Sequence, residues 1–273
     1  MLNDKFFSVD RIVFMSFADS KYAPMLKRIK TEALNSHFFS VVRTFSEKDF
    51  EKDYKKKYKE RFKLRGFGYW MWKSYMVRRM LKEMKDNDIL VYSDSGCMIN
   101  ANAKKRFEDY ISYVKQVQSG ILVFAQIELL ESAYTKADIF AYAGCLNDSS
   151  ITSTPQFWGG IFIIRKCQQS VEFVEKWYDL SHNHFSLITD EPSKIKNFPD
   201  FIENRHDQSA LSVLVKPYKP YIVDDRETYT TGSFHEELAL FPFWATRNRK
   251  CSWIYLKKDG LKKRFHKFLR IFK

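Results

Sequence analysis

Apolar positions along this chain switch between strand-like and helix-like spacing several times. Residues 11–17 (RIVFMSF) form a mostly apolar run of strand length, which predicts a buried first strand. Residues 22–35 take helical spacing, and 37–43 predict a second strand. Ser46, with Asp49 three positions on, predicts a capped helix. Over 69–85 the pattern is helical, with Met76, Val77, Met80, Leu81 and Met84 on one face. Residues 88–94 (DILVYSD) predict a strand ending in a polar turn, 102–118 a helix and 120–125 a strand. Another strand is expected at 158–165 (WGGIFIIR), with helices at 168–181 and 206–215. Such alternation predicts an α/β fold, a mainly parallel sheet with helices on both faces. Ligands of such sheets bind beyond the carboxyl ends of the strands. That rule points to Ala18 and Asp19, and to residues 93–96.

Asp94 closes the run ILVYSDSG. A carboxylate there can hold a divalent cation or a sugar hydroxyl, and the small Ser95 and Gly96 admit a phosphate or ribose closely. Asp-Ser-Gly is also ordinary turn chemistry. Upstream, residues 65–75 read RGFGYWMWKSY, with Lys73 in helical phase with the core-facing Met76, Val77 and Met80. A lysine in that phase either reaches a ligand phosphate or pairs with Asp94 or another acid inside an aromatic cluster. Asp19 is placed to meet a nucleoside, or to cap the helix that follows. Phe157 and Trp158 suit stacking on a sugar face or the core, and Gly159 and Gly160 suit close approach of an acceptor sugar or a turn leading into a strand.

Together, RGFGYWMWKSY, DILVYSDSGCMIN, WGGIFIIRK and NRHDQSALSVLV resemble the bacterial GT-A glycosyltransferases that use nucleotide-sugar donors, over about residues 10–250. The resemblance implies a Rossmann-like nucleotide-diphospho-sugar domain, taken as 1–250, and the residues at 251–273 read as a separate basic tail. It implies transfer of a sugar from a nucleotide-diphosphate donor, a UDP-sugar, to a glycan or lipid-linked acceptor in surface polysaccharide synthesis, such as lipopolysaccharide or capsule. Asp94 matches the first acid of the family's D-x-D motif, and Gly96 stands where the second acid holds Mn²⁺ or Mg²⁺. The resemblance then leaves the metal to Asp94 and the donor diphosphate, with His235 in GSFHEE as a further metal ligand or a structural histidine. Nucleotide contacts fall to Asp19, Lys73, Asp94, Ser95, Gly96 and Arg247, the last beside Arg249 in ATRNR. Sugar transfer builds positive charge at the anomeric carbon while a diphosphate leaves, so cations serve the leaving group and a carboxylate serves the reacting carbon or acceptor hydroxyl. Asp207, at the start of a late helix, is the first catalytic candidate, ahead of Glu131 and Asp138.

Composition narrows the alternatives. With 273 residues, 17% aromatic, and only 9 Gly and 7 Pro, the chain is long and apolar enough for a real core, and disorder is excluded as its main state. The net charge of +13 is concentrated. Residues 247–273 hold eleven Lys/Arg against one acid, residues 51–65 hold eight against three, and the remainder is slightly acidic. That placement argues against a nucleic-acid-binding protein, which spreads cations over a binding face. A nucleotidyltransferase on the same superfold wants a Gly-rich basic loop after the first strand, and SFADSKYAP has only Lys21 and no Gly. Cys97, Cys145, Cys167 and Cys251 show no zinc or disulfide-scaffold spacing, so reduced thiols in a cytoplasmic protein are expected. The N-terminus is broken by charges and does not read as a signal peptide.

In the tail, Leu261, Phe265, Phe268, Leu269 and Phe272 form one apolar stripe opposite Lys262, Lys263, Arg264, Lys267, Arg270 and Lys273. A helix of that pattern fits an anionic membrane surface, or packs on the body with a solvated basic back. The membrane reading suits a peripheral enzyme on the inner face of the cell membrane. Deleting 257–273 is then expected to reduce co-sedimentation with anionic liposomes at low salt, and unchanged co-sedimentation would refute it.

Overall fold

The computed structural model describes residues 11–246. Arg247, Arg249, Cys251 and the basic tail at 251–273, each the subject of an expectation from the sequence, lie outside the described residues.

Eight strands are found among the described residues: β1 (Ile12–Phe17), β2 (Val41–Phe45), β3 (Ile89–Ser93), β4 (Met98–Ile99), β5 (Ile121–Leu130), β6 (Pro155–Arg165), β7 (Tyr221–Asp224) and β8 (Phe243–Trp244). Six form one sheet in the order β2-β1-β3-β6-β5-β7, and β4 pairs with β8 in a small second sheet. The large sheet is parallel apart from β6, which runs antiparallel to both of its neighbours, β3 and β5. The mainly parallel α/β sheet expected from the sequence is therefore present, with one reversed strand.

Period-2 alternation sorts the strand side chains into two cores, as a sheet covered on both faces requires. Val13, Met15, Phe17, Leu90, Tyr92, Phe162 and Ile164 join one cluster, with Met76, Val77 and Met80 of the Trp72–Glu83 helix and Trp177 of the Gln168–Asn183 helix. Phe14, Ile89, Val91, Ile161 and Ile163 join the other, with Ile29 of the Ala23–Ser36 helix and Phe107 of the Lys104–Gln116 helix. No helix among the described residues is long and apolar enough to cross a membrane.

Several boundaries differ from the sequence expectation, β5 and β6 being longer than expected, and three of the differences have a local cause. The second strand starts at Val41 rather than 37, because His37 takes a left-handed conformation (φ 57°) that ends the preceding helix. The Ser46–Asp49 capping box forms, but it caps a single 3₁₀ turn, and the helix proper is Lys52–Tyr58. The helix expected from 69 begins at Trp72. Before it, Gly66, Phe67, Gly68, Tyr69 and Trp70 all have φ between 50° and 87°, one turn of left-handed helix. Such a turn costs roughly 1–2 kcal/mol for each non-glycine residue, so it persists only where packing holds it. Gly66 permits it sterically: a Cβ there would lie 2.6 Å from the Trp70 ring.

Candidate active site

The strand alternation decides what Asp94 faces. Leu90 and Tyr92 point into the first core, and Asp94 continues that parity just beyond β3. On the same face lie the first turn of the Trp72–Glu83 helix, carrying Lys73, and the start of the Asp207–Val215 helix, carrying Asp207. The three side chains meet. Lys73 Nζ lies 2.7 Å from Asp207 Oδ2 and 3.5 Å from Asp94 Oδ1, and donates to the Gly159 carbonyl at 2.9 Å. Tyr92 Oη donates to Asp94 Oδ1 at 2.5 Å.

Burial grades the three. The Lys73 and Asp207 side chains are 3% and 8% exposed, whereas that of Asp94 is 40% exposed. Asp94 is thus the group that solvent or a ligand reaches first, with Lys73 and Asp207 behind it. Burial pushes the Lys73 ammonium down, but the Asp207 and Asp94 carboxylates outweigh it and hold the pKa above its ordinary value. Burial pushes the Asp207 carboxyl up, only partly opposed by Lys73, to about 6. Asp207 Oδ2 accepts no aligned hydrogen bond, although it is buried. With both acids ionised, one cation faces two anions. That leaves a net negative site suited to a developing cation.

Side chains that sequence reasoning missed hold the Asp94 turn. The turn closes through Cys97 N donating to Asp94 O at 2.9 Å. Arg28 Nη2 donates to the Ser95 and Cys97 carbonyls at 2.9 and 2.7 Å. Glu32, ion-paired to Arg28 at 2.8 Å, accepts Ile99 N, and Thr246 Oγ1 donates to the Gly96 carbonyl at 3.0 Å. Arg28 and Glu32 sit four apart on one helix, which reads as a routine surface pair. Only the tertiary contact shows that they pin the loop. Gln208, next to Asp207 in the NRHDQSALSVLV segment that carries the resemblance, braces the site from the other side. Its Nε2 donates to the Gln126 and Gln156 side-chain oxygens at 2.8 and 2.6 Å, and its Oε1 accepts Gly159 N at 3.2 Å.

Several expected residues take other roles. Lys73 does not reach outward as a free phosphate-binding cation; its ammonium is buried among the carboxylates and the Gly159 carbonyl. Asp19 makes no side-chain cap to the turn that follows β1, and its Oδ1 is buried without a hydrogen-bond partner. Glu131 is fully buried, ion-paired to Lys216 at 3.1 Å and bonded by Thr135 Oγ1 at 2.8 Å and by Ser212 Oγ. That saturation makes it an internal anchor rather than a carboxylate facing substrate. Asp138 accepts Lys194 N at 3.0 Å and thereby holds a loop, and no hydrogen bond or ion pair among the described residues joins it to the Lys73 cluster. His235 packs edge-on to Trp244 (ring centroids 5.0 Å apart), on the small β4-β8 sheet. No group of three or more His, Cys, Asp or Glu among the described residues is arranged to hold a metal.

Phe157 is core, with the Lys216 ammonium over its ring, while Trp158 borders a hollow of about 190 Å³. The two glycines serve packing. A Cβ on Gly159 would press on Gln208 at 3.2 Å, and one on Gly160 would strike the Trp158 ring at 2.4 Å.

No protein-family model matches this chain, and no curated protein does. Solved structures do. A glycosyltransferase involved in the glycosylation of the major capsid of PBCV-1 overlays 93% of this chain and 99% of its own, with a TM-score of 0.51 and 11% identity.

The chain has the GT-A fold.

Looser overlays include the apo-form glycosyltransferase GlyE of Streptococcus pneumoniae TIGR4 (TM-score 0.44, 14% identity, 96% of this chain and 64% of that one). The galactosyltransferase LgtC, in complex with donor and acceptor sugar analogs, is another (TM-score 0.42, 11% identity, 91% and 83%). The fold assignment does not depend on either. Within the GT-A frame, Asp94 follows the β3 strand that pairs with β1, and Asp19 lies just past the end of β1. Both therefore stand beyond the carboxyl ends of adjacent parallel strands, where α/β sheets bind ligands.

Proposed function

We propose that this chain is a glycosyltransferase that moves a sugar from a nucleotide-diphosphate donor, a UDP-sugar, to a glycan or lipid-linked acceptor in surface polysaccharide synthesis. The observation that carries the proposal is the buried Lys73 held between Asp94 and Asp207, with Asp94 exposed above it. In this reading the nucleoside lies against Asp19, whose unpartnered Oδ1 seeks a hydroxyl or N–H donor. The ribose and diphosphate lie over the Asp94 turn. Asp207 faces the anomeric carbon, where its negative charge stabilises the oxocarbenium-like centre. Lys73 keeps Asp207 and Asp94 at a fixed separation, and its charge stops the two acids from repelling each other apart.

The residues present fit Mn²⁺ or Mg²⁺ only as an ion shared with the diphosphate. Asp94 offers one carboxylate, with Oδ1 already taken by Tyr92 and the other oxygen open. Magnesium is commonly held by one or two carboxylates plus phosphate oxygens. When bound there it would offset charge on the leaving diphosphate. The near-neutral body disfavours nucleic acid as the partner. The basic 257–273 segment remains the proposed contact with an anionic membrane, placing the enzyme in the cytoplasm as a peripheral protein.

Thermal denaturation tests the donor site. UDP with Mn²⁺, at about a hundred times its dissociation constant, should stabilise the chain by about 2.7 kcal/mol, whereas an oligonucleotide should leave the melting point unchanged. A shift with the oligonucleotide and none with UDP would sink the proposal.

A further inference from the structure

The Lys52–Tyr58 helix is fixed to the body by one face. Tyr54 and Tyr58 are buried in the first core, and Tyr54 Oη lies 2.9 Å from His182 Nε2. With these two tyrosines turned inward, helical phase turns Lys52, Lys56, Lys59 and Lys63 outward at i, i+4, i+7 and i+11, and all four are exposed. Lys59 and Glu60 keep right-handed helical angles, and Arg61–Lys63 adds a 3₁₀ turn, so the stripe runs on past the end of the helix. No ion pair among the described residues engages Lys52, Lys56 or Lys59.

Where the stripe ends, apolar side chains join it. Leu64, 44% exposed, stands between the exposed Lys63 and Arg65. Ile195, 37% exposed, stands between the exposed Lys194 and Lys196. The fold brings these two cation–apolar–cation triplets together. Arg65, Ile195 and Lys196 line one open hollow, and Arg65 Nη1 lies 3.6 Å from Asp190 Oδ1 on the second segment. Both triplets are anchored through the backbone: Leu64 N donates to the Arg61 carbonyl at 3.0 Å, and Lys194 N to the Asp138 carboxylate at 3.0 Å. The nearby acids do not cancel the charge. Glu60 and Asp190 are paired with Lys63 and Arg65, and residues 51–65 hold eight Lys/Arg against three acids. Counting Asp190, Glu191 and Glu203 at the hollow as well, cations still lead. A single exposed leucine is ordinary. Two apolar side chains, each between cations and both at the end of a lysine stripe, suit a lipid–water boundary. Hydrocarbon enters the bilayer there while the charged ends stay among the headgroups.

We propose that this surface, 52–65 together with 194–196, docks the folded body on an anionic lipid bilayer. Nucleic acid is the poorer match. Single strands bind by stacking bases on exposed aromatic rings, and Tyr54 and Tyr58 of this segment are buried in the core. The contact is separate from 257–273 and does not depend on the donor assignment.

Co-sedimentation of the full chain with vesicles at low salt tests it. The wild type should bind vesicles of phosphatidylcholine mixed with phosphatidylglycerol, and not vesicles of phosphatidylcholine alone. A lysine at an anionic leaflet changes partitioning about fivefold, so the triple variant Lys52→Gln, Lys56→Gln and Lys59→Gln should bind about a hundredfold more weakly. A control triple, Lys30→Gln, Lys104→Gln and Lys105→Gln, removes the same charge from the helices on the other face of the sheet and should bind like the wild type. Leu64→Ser with Ile195→Ser should weaken binding about tenfold, and by the same factor at raised salt, because burial of hydrocarbon is not screened. All of these positions are exposed, so folding should survive. Equal binding to both kinds of vesicle, a lysine triple or an apolar double indistinguishable from the wild type, or a control triple that loses as much overturns the inference. So does capture of an oligonucleotide through the three lysines without capture of vesicles. Loss of vesicle binding on deleting 257–273, with no effect of the lysine triple, assigns the contact to the tail alone and overturns it too.

Discussion

Replacing Asp207 with Asn is expected to lower kcat/KM about 10²- to 10⁴-fold, the usual worth of a positioned acid–base or charge-stabilising carboxylate. The substitution is nearly isosteric, so packing against Gly159 and Lys73 should survive and the loss should lie in the chemical step. The pH profile is the sharper readout. Because burial holds the Asp207 carboxyl up at about 6, the wild-type rate should rise with pH through that value as the carboxylate forms. The Asn variant should lack that limb. Stability should move in the opposite direction. A carboxyl whose folded pKa lies above its ordinary value of 3.8 keeps its proton when the unfolded chain has released it. The folded state therefore binds more protons between about pH 4 and 6, and wild-type stability falls as pH rises through that window. Denaturant titrations of the two proteins between pH 4 and 7 should show a shallower fall in the variant than in the wild type, because Asp225, whose carboxyl is also held up at about 6, keeps its share of the slope. A variant with wild-type kcat/KM and an unchanged pH limb would take Asp207 out of the mechanism.

Lys73→Met should be the more damaging change for the fold. It keeps much of the side-chain volume but leaves Asp207 buried and Asp94 nearby with no counter-charge. Breaking one partner from a buried ion pair typically costs about 3–5 kcal/mol. The size should depend on pH with a definite sign. Lys73 opposes the upward push of burial on Asp207, so without it that carboxyl should hold its proton to higher pH. Below about pH 6 Asp207 is mostly protonated in the wild type as well, and the destabilisation should shrink. Above it the full cost should appear, together with loss of turnover because Asp207 is no longer ionised. Chemical denaturation at pH 5 and pH 8 measures both limbs. A loss of equal size at both pH values would mean that Lys73 contributes packing and not charge. The double variant Lys73→Met with Asp207→Asn should recover part of the stability, since it buries no unpaired charge.

Both predictions concern residues that stand out in the sequence, but for partly different reasons. Lys73 is conspicuous as a charge in core-facing helical phase, and pairing with an acid is one of its two readings. Its pairing with Asp94 follows from strand parity, because residues 90, 92 and 94 share a face. Its pairing with Asp207, 134 positions away, has no local signature at all. Glu131 shows the converse. An isolated acid in a central stretch looks available for chemistry, and only the packing of Ser212, Thr135 and Lys216 around it shows that its oxygens are committed. The left-handed turn at 66–70 is hidden for another reason. Gly66 and Gly68 tolerate it, but Phe67, Tyr69 and Trp70 oppose it, and local propensity lost to tertiary packing.

The sequence by itself determined the alternating elements, the sheet with two covered faces, and the polar turn that ends β3 at Asp94. Those features arise from spacing along the chain, where hydrophobic period and turn chemistry act over a few residues. The tertiary structure alone decided that β6 runs backwards, that Arg28 holds the Asp94 turn, and that Lys73 bridges two acids. It also brought Arg65 and Lys136 against the 184–206 segment, with which they line an open hollow. Each of these depends on groups distant in sequence being brought together, and the energy that selects them, burial of charge against its partner, exists only once the chain has folded around them.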